Sequence, residues 1–202
     1  MALSMRKNNL IIIGDRAFAQ VAYEYFTHDS DSEVVAFSVE RAYLKSEQLF
    51  DLPVIPFEEI ETYYSPAQHQ VFVAVVFSQF NRLRTRLYNE AKAKGYAAAS
   101  YISSKAILRD SAQVGEHCFI CEGTVIQPSA VLADNVVLWS DNYIGHHALI
   151  KRNCFTLPHV VISEFAEIGE NCIIGPNATV LNSITVANDR LIEAGALVSE
   201  SI

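Results

Sequence analysis

The chain has 202 residues, half of them hydrophobic and 19% charged, enough apolar matter to core one large or two small domains, which excludes a disordered chain and a collagen-like fibre. Fifteen Lys plus Arg against 23 Asp plus Glu leave a formal charge of -8, and so acidic a chain has no grip on phosphate backbones, so no nucleic-acid partner is expected. The apolar run at 10–13 that follows Arg6 and Lys7 is far too short for a signal-peptide core or a membrane span, so a cytoplasmic protein without a membrane partner is expected.

The first hundred residues alternate between strand and helix patterns. Residues 9–14 read as an apolar strand ending in Gly14, 16–26 have helical spacing, and 33–39 form a second strand. Pro53 and Pro56 punctuate an irregular stretch before a short helix at 57–63; a strand at 71–77 and an amphipathic helix at 79–94, closed by Gly95, complete the half. This alternation predicts a Rossmann-like, parallel-sheet α/β domain over 1–100, with its ligand beyond the carboxyl ends of the strands, near Gly14 and Phe77.

From Ile102 a different rule takes over. Every sixth residue from Ile102 to Val198 is Ile, Leu or Val, with Thr156 as the single departure among 17 positions. Chance would produce such a column roughly once in a million trials. A period of six fits neither a helix nor a free strand; it fits a coil of three short strands, each sending one aliphatic inward per turn, so 101–202 is predicted to be a parallel β-helix. Four residues after each aliphatic comes a second, often small position, and Cys118, Cys154 and Cys172 fall there. They are read as buried fillers. Cys121 lies three residues from Cys118, the spacing of half a zinc site, but no second pair completes it.

Three hexads make one 18-residue coil. His117, Asn135, Asn153, Asn171 and Asp189 then form a stacked column, read as turn chemistry because Asn and Asp accept left-handed backbone; Gly115, Gly145, Gly169 and Gly175 are assigned to other corners on the same ground. Against this background the segment 139–148 concentrates polar groups where the repeat needs none. His146 and His147 follow Gly145, and His159 comes 13 residues after His146. A neutral imidazole suits proton abstraction near pH 7, although three solvated turn histidines would give the same spacing. His117, His146 and His159 are 29 and 13 apart, neither a multiple of 18, so they do not stack as metal ligands within one chain and no metal is expected.

The hexad array, the Gly-His-His segment and an α/β domain entering the array through residues 101–106 together resemble the left-handed β-helix sugar acetyltransferases. Within them the chain is most similar to the sialic acid O-acetyltransferase-like group, which includes the N-acetyltransferases of bacillosamine biosynthesis. The resemblance implies a left-handed β-helix, a homotrimer with active sites between neighbouring subunits, acetyl-CoA as cosubstrate, and a nucleotide-linked amino sugar held by the α/β domain. The catalytic His of the family falls on His146, a general base. The acid that follows it in some relatives is His147 here, and Asp141 and His159, 18 residues apart, are further site candidates. Acyl-CoA contacts map to Pro176, Asn177, Ala194 and Gly195. The diphosphate turn maps to Gly14, Asp15 and Arg16, and a second substrate loop to Asn81 and Arg84. The implied reaction is N-acetylation in surface-polysaccharide biosynthesis; O-acetylation with the same residues and a non-catalytic sugar-binding module are the alternatives.

Overall fold

Four consecutive apolar residues, Leu10 to Ile13, are fully buried in β1 (Asn8–Ile13), as expected of a parallel strand covered on both faces. A computed structural model describes residues 8–202 of the chain; Arg6 and Lys7 lie outside the described residues. Strand β1 pairs in parallel with β2 (Ser32–Val39) and β5 (His69–Val73). Helix α1 (Ala17–His28) turns Phe18, Ala19, Ala22 and Phe26 inward, and the rings of Phe18 and Phe26 meet Phe72 at 6.1 and 5.2 Å. Beyond a short helix α2 (Ile60–Tyr63), helix α3 (Arg82–Ala93) and β6 (Ala97–Ala98) follow.

With β3 (Gln48–Leu49) and β4 (Leu52–Pro56) added, the sheet order is β3-β4-β2-β1-β5-β6, and it differs from the expected all-parallel sheet. The proline-punctuated stretch is strand β4, paired in parallel with β2 and antiparallel with β3. Val54, between the two prolines, still donates its N–H to Glu47 O at 2.9 Å, so the prolines do not empty the ladder. Phe50 and Asp51 close this hairpin with φ of 52° and 60°, the doubly left-handed turn that two-residue hairpins favour. Phe50 is held there by stacking on Tyr23, 4.6 Å away. Helix α3 starts three residues later than its pattern suggests because Gln79, Phe80 and Asn81 all have positive φ.

Contacts divide the chain into two units. Residues up to Val76 with Arg86–Ala99 form the α/β unit, and Phe77–Thr85 with Ser100–Ile202 form the second. In the second unit, 17 two-residue strands from β7 (Tyr101–Ile102) to β23 (Leu197–Val198) recur every six residues and stack into three parallel sheets of six, six and five strands. Partners are 18 residues apart, as in Phe119↔Val137 and Leu132↔Ile150. The result is a three-sided parallel β-helix. Its aliphatic column is buried from Ile120 onward, whereas Ile102 and Leu108, in the first coil, are each 39% exposed. Thr156 is accommodated because its hydroxyl donates to Val137 O at 3.3 Å. All four cysteines are buried free thiols, and burial pushes the Cys118 thiol up to about 11.

Every sixth residue from His117 to Gly195 has positive φ, so each corner of the coil turns through one left-handed residue. The four glycines assigned to corners do not occupy these positions. Gly115, Gly145, Gly169 and Gly175 have ordinary φ and are needed for close approach instead: a Cβ on Gly145 would lie 2.6 Å from the backbone nitrogen of Glu164 in the next coil.

Candidate active site

The left-handed residues line up as three edges of the β-helix. The first carries His117, Asn135, Asn153, Asn171 and Asp189, the second Gly123, Asp141, His159, Asn177 and Gly195, and the third Ser129, His147, Phe165 and Ser183. Coils stack in register, so residues along an edge sit one strand spacing apart, about 4.8 Å.

On the first edge the side chains bond to one another. His117 Nδ1 donates to Asn135 Oδ1 at 2.8 Å, Asn135 Nδ2 to Asn153 Oδ1 at 2.8 Å, Asn153 Nδ2 to Asn171 Oδ1 at 3.0 Å, and Asn171 Nδ2 to Asp189 Oδ1 at 3.2 Å. The 77–85 segment of the same unit adds to this ladder. Arg84, fully buried, donates to Asn135 Oδ1 at 2.9 Å and His117 O at 3.1 Å, and Asn81, also fully buried, donates to Asn153 O at 3.0 Å. Asn81 and Arg84 were expected in a substrate loop. The structure places both inside the second unit, with these groups spent on the coils, and neither is displayed on a surface. His117 is a corner residue of the ladder, as its column suggests.

The third edge is open. His146 lies between β14 (Tyr143–Ile144) and β15 (Leu149–Ile150), on a loop that can pack on the next coil only because residue 145 has no Cβ. It is half-buried, and His147 beside it is exposed. Their Nδ1 atoms are 3.1 Å apart with the rings perpendicular. Phe165, one coil on from His147, stacks on the His147 ring at 5.0 Å and 16° and meets the His146 ring edge-on at 5.1 Å. Glu164 occupies the coil after His146, and Tyr143 donates to its Oε1 at 3.4 Å; desolvation and that carboxylate both raise the Tyr143 hydroxyl above its ordinary value. Phe165 and Glu164 were missed from the sequence, although counting 18 on from His147 and His146 reaches them.

The second edge holds the other candidates. Asp141 Oδ2 is 4.0 Å from His159 Nδ1, and both side chains are more than half exposed. Asn177 and Gly195 continue the column, with Pro176 and Ala194 just before them, and Gly195 N donates to Pro176 O at 2.8 Å. Thus the structure brings His146 to His147, and lines up Asp141, His159 and the backbone at 176–177 and 194–195 along one edge. It does not bring the two groups together within one chain, because a full side of the triangle separates their edges, roughly 20 Å for six near-extended residues.

In the α/β unit Gly14 has φ 130°, and a Cβ there would lie 2.7 Å from Ala74 O. Its N–H donates to Ser38 O at 2.7 Å. Asp15 pairs with Arg16 at 3.3 Å, and Arg16 is the N-cap of α1, so the acid in this turn is partly neutralised beside a helix N-terminus. Among the described residues no group of three or more His, Cys, Asp or Glu is arranged to hold a metal ion, and no helix is long and apolar enough to cross a membrane.

Residues 147–182 match the family described as bacterial transferase hexapeptide (six repeats). No curated protein sequence matches the chain. Among solved structures, the acetyltransferase domain of PglB from Neisseria gonorrhoeae FA1090 is 25% identical with a TM-score of 0.87, over 96% of this chain and 93% of that one. The same domain in complex with acetyl coenzyme A is matched at 23% identity and a TM-score of 0.86, over 97% and 93%. A histidine mutant of perosamine N-acetyltransferase from Caulobacter crescentus, in complex with CoA and GDP-perosamine, matches at 20% identity and a TM-score of 0.87, over 100% of this chain and 92% of that one. The resemblance to left-handed β-helix sugar acetyltransferases therefore extends over essentially the whole chain.

Proposed function

We propose that this hexapeptide-repeat acyltransferase moves the acetyl group of acetyl-CoA to the amino group of a nucleotide-linked amino sugar, with His146 as general base. The observation that carries the reading is the His146–His147 pair on an open edge of a β-helix whose first edge is closed by hydrogen bonds. In a repeat that needs only small polar corner residues, two imidazoles held 3.1 Å apart and accessible to a ligand form a site for proton transfer.

The sugar amine attacks the thioester carbonyl directly. As the N–C bond forms, His146 takes the amine proton; the tetrahedral oxyanion then collapses, the C–S bond breaks, and CoA leaves as a thiol once protonated. No acyl-cysteine forms, because all four thiols are buried and the nucleophile would have to be an accessible thiolate. The candidate acyl-CoA residues Pro176, Asn177, Ala194 and Gly195 share an edge with Asp141 and His159, remote from His146 in the same chain. A homotrimer in which this edge of one subunit faces the His146 edge of the next completes the site. The 1–100 domain, with Gly14, Asp15 and Arg16 at the carboxyl end of β1, holds the nucleotide in a Rossmann-like manner. A cytoplasmic role in polysaccharide biosynthesis fits such a substrate.

Incubating the protein with acetyl-CoA and a panel of nucleotide sugars, while following free CoA thiol and product mass, tests this reading. Thiol release that depends on a nucleotide amino sugar, with an acetamido product, is expected. Release with hydroxyl sugars alone, or with none of the panel, overturns it.

A further inference from the structure

The corner positions are selective. From His117 to Gly195 every left-handed site carries Gly, Asn, Asp, Ser or His, except one, which carries Phe165 at φ 58°. A bulky side chain is strained in this conformation, and strained residues persist where the surrounding structure or the function holds them. Burial does not account for Phe165, a residue that is 55% exposed. Its ring does one visible thing, which is to cover the face of His147 and touch His146 edge-on.

The two Nδ1 atoms at 3.1 Å can share only one proton. If it sits on His146, the His146 Nε2 keeps its lone pair and the ring is a base at that open atom; if it sits on His147, the His146 Nδ1 is occupied as an acceptor and Nε2 carries a hydrogen. No other hydrogen bond engages either ring among the described residues, so this contact sets the tautomer.

We propose that His147 and Phe165 are positioning residues: Phe165 fixes the His147 ring by stacking, and His147 Nδ1 accepts from His146 Nδ1–H, leaving His146 Nε2 to receive the proton of the attacking amine. This rests on the reading of His146 as the base. When the amine proton reaches Nε2, the His146–His147 bond becomes charge-assisted and strengthens. His147 thereby does as a neutral acceptor what a carboxylate would do with charge, and the proton passes from His146 to the departing CoA sulfur.

Phe165→Asn, which puts the residue typical of these corners into the strained site, is the discriminating variant. It is expected to raise the thermal midpoint while lowering kcat about tenfold, with KM for acetyl-CoA unchanged. A residue with a merely structural role would move rate and stability together. His147→Ala is expected to lose rate similarly and His147→Glu, which restores an acceptor, to recover most of it. Imidazole 15N spectra of the wild-type protein are expected to show His146 protonated at Nδ1 and bare at Nε2, a preference that Phe165→Asn weakens. A wild-type His146 protonated at Nε2 overturns the proposal. A dead His146→Ala protein beside a fully active Phe165→Asn protein overturns the positioning role alone, and full activity in both overturns the base assignment beneath it.

Discussion

The edge through His117 and Asp189 and the edge through His147 and Phe165 make the same backbone demand, one left-handed residue per corner, and answer it with opposite chemistry. Along the first, amide after amide donates to the next, and Arg84 and Asn81 add further bonds, so the row is saturated from within. Along the third, between the corners Ser129 and Ser183, an imidazole and an aromatic ring stack, and with the two Nδ1 atoms of His146 and His147 engaged with each other the Nε2 atoms remain open to a ligand. A corner thus fixes backbone conformation and leaves the side chain unassigned; whether its polar atoms are consumed by neighbours decides whether the edge is scaffold or site.

The sharpest way to break that contrast is to truncate one residue on each edge and compare rate with stability. His146→Ala is expected to lower kcat by about 10²–10⁴, the usual worth of a positioned acid–base group, with an unchanged unfolding midpoint, because the half-exposed ring supports little packing. Thiol release and a thermal melt on the same preparation check both halves. A variant that unfolds would place His146 with the scaffold residues.

Asn135→Ala is the converse. Asn135 accepts from His117 and Arg84 and donates to Asn153 and Thr85, and Ala would leave several buried groups short of one partner while keeping the left-handed backbone without an amide to favour it. A loss of about 2–4 kcal/mol in urea unfolding is expected, with kcat per folded molecule retained. If kcat falls with a stable fold, the ladder edge is part of the catalytic apparatus and the distinction between edges fails.

How much of this could be read in advance follows from what each feature depends on. The β-helix is a one-dimensional repeat, so its core column, its filler cysteines and its corner column are written in the sequence at fixed spacings. His146 and His147 were legible as neighbours, but their pairing was not, because adjacent side chains of an extended chain diverge and this pair meets at a left-handed corner. Phe165 was visible only as a number, 18 beyond His147, because positive φ leaves no mark on an aromatic residue. Strand β4 was obscured because Pro53 and Pro56 occupy positions whose missing N–H groups do not matter, which depends on the partner strands. The burial of Arg84, expected in a substrate loop, was hidden for a similar reason. Nothing in the helical pattern of 79–94 marks it, and only the coil stack of its own unit shows that it is fully buried.

The smallest expected effect tests the rule inside the core, between the edges. Thr156 is the single polar member of the aliphatic column, is fully buried, and makes a bond of 3.3 Å to Val137 O. Thr156→Val replaces a hydroxyl by a methyl at nearly constant volume and keeps the β-branched side chain. The loss of a long hydrogen bond and the gain of buried apolar surface are each about 1 kcal/mol and opposite in sign, so the urea midpoint should shift by no more than that in either direction. The asymmetry with Asn135 is the point of the comparison. Asn135 has several buried partners that would be orphaned by truncation, whereas Thr156 has one carbonyl at the limit of bonding distance. A loss above about 2 kcal/mol would mean that the Val137 carbonyl depends on Thr156 as strongly as the ladder depends on Asn135, and that polar satisfaction governs the core of the coil as well as its edges.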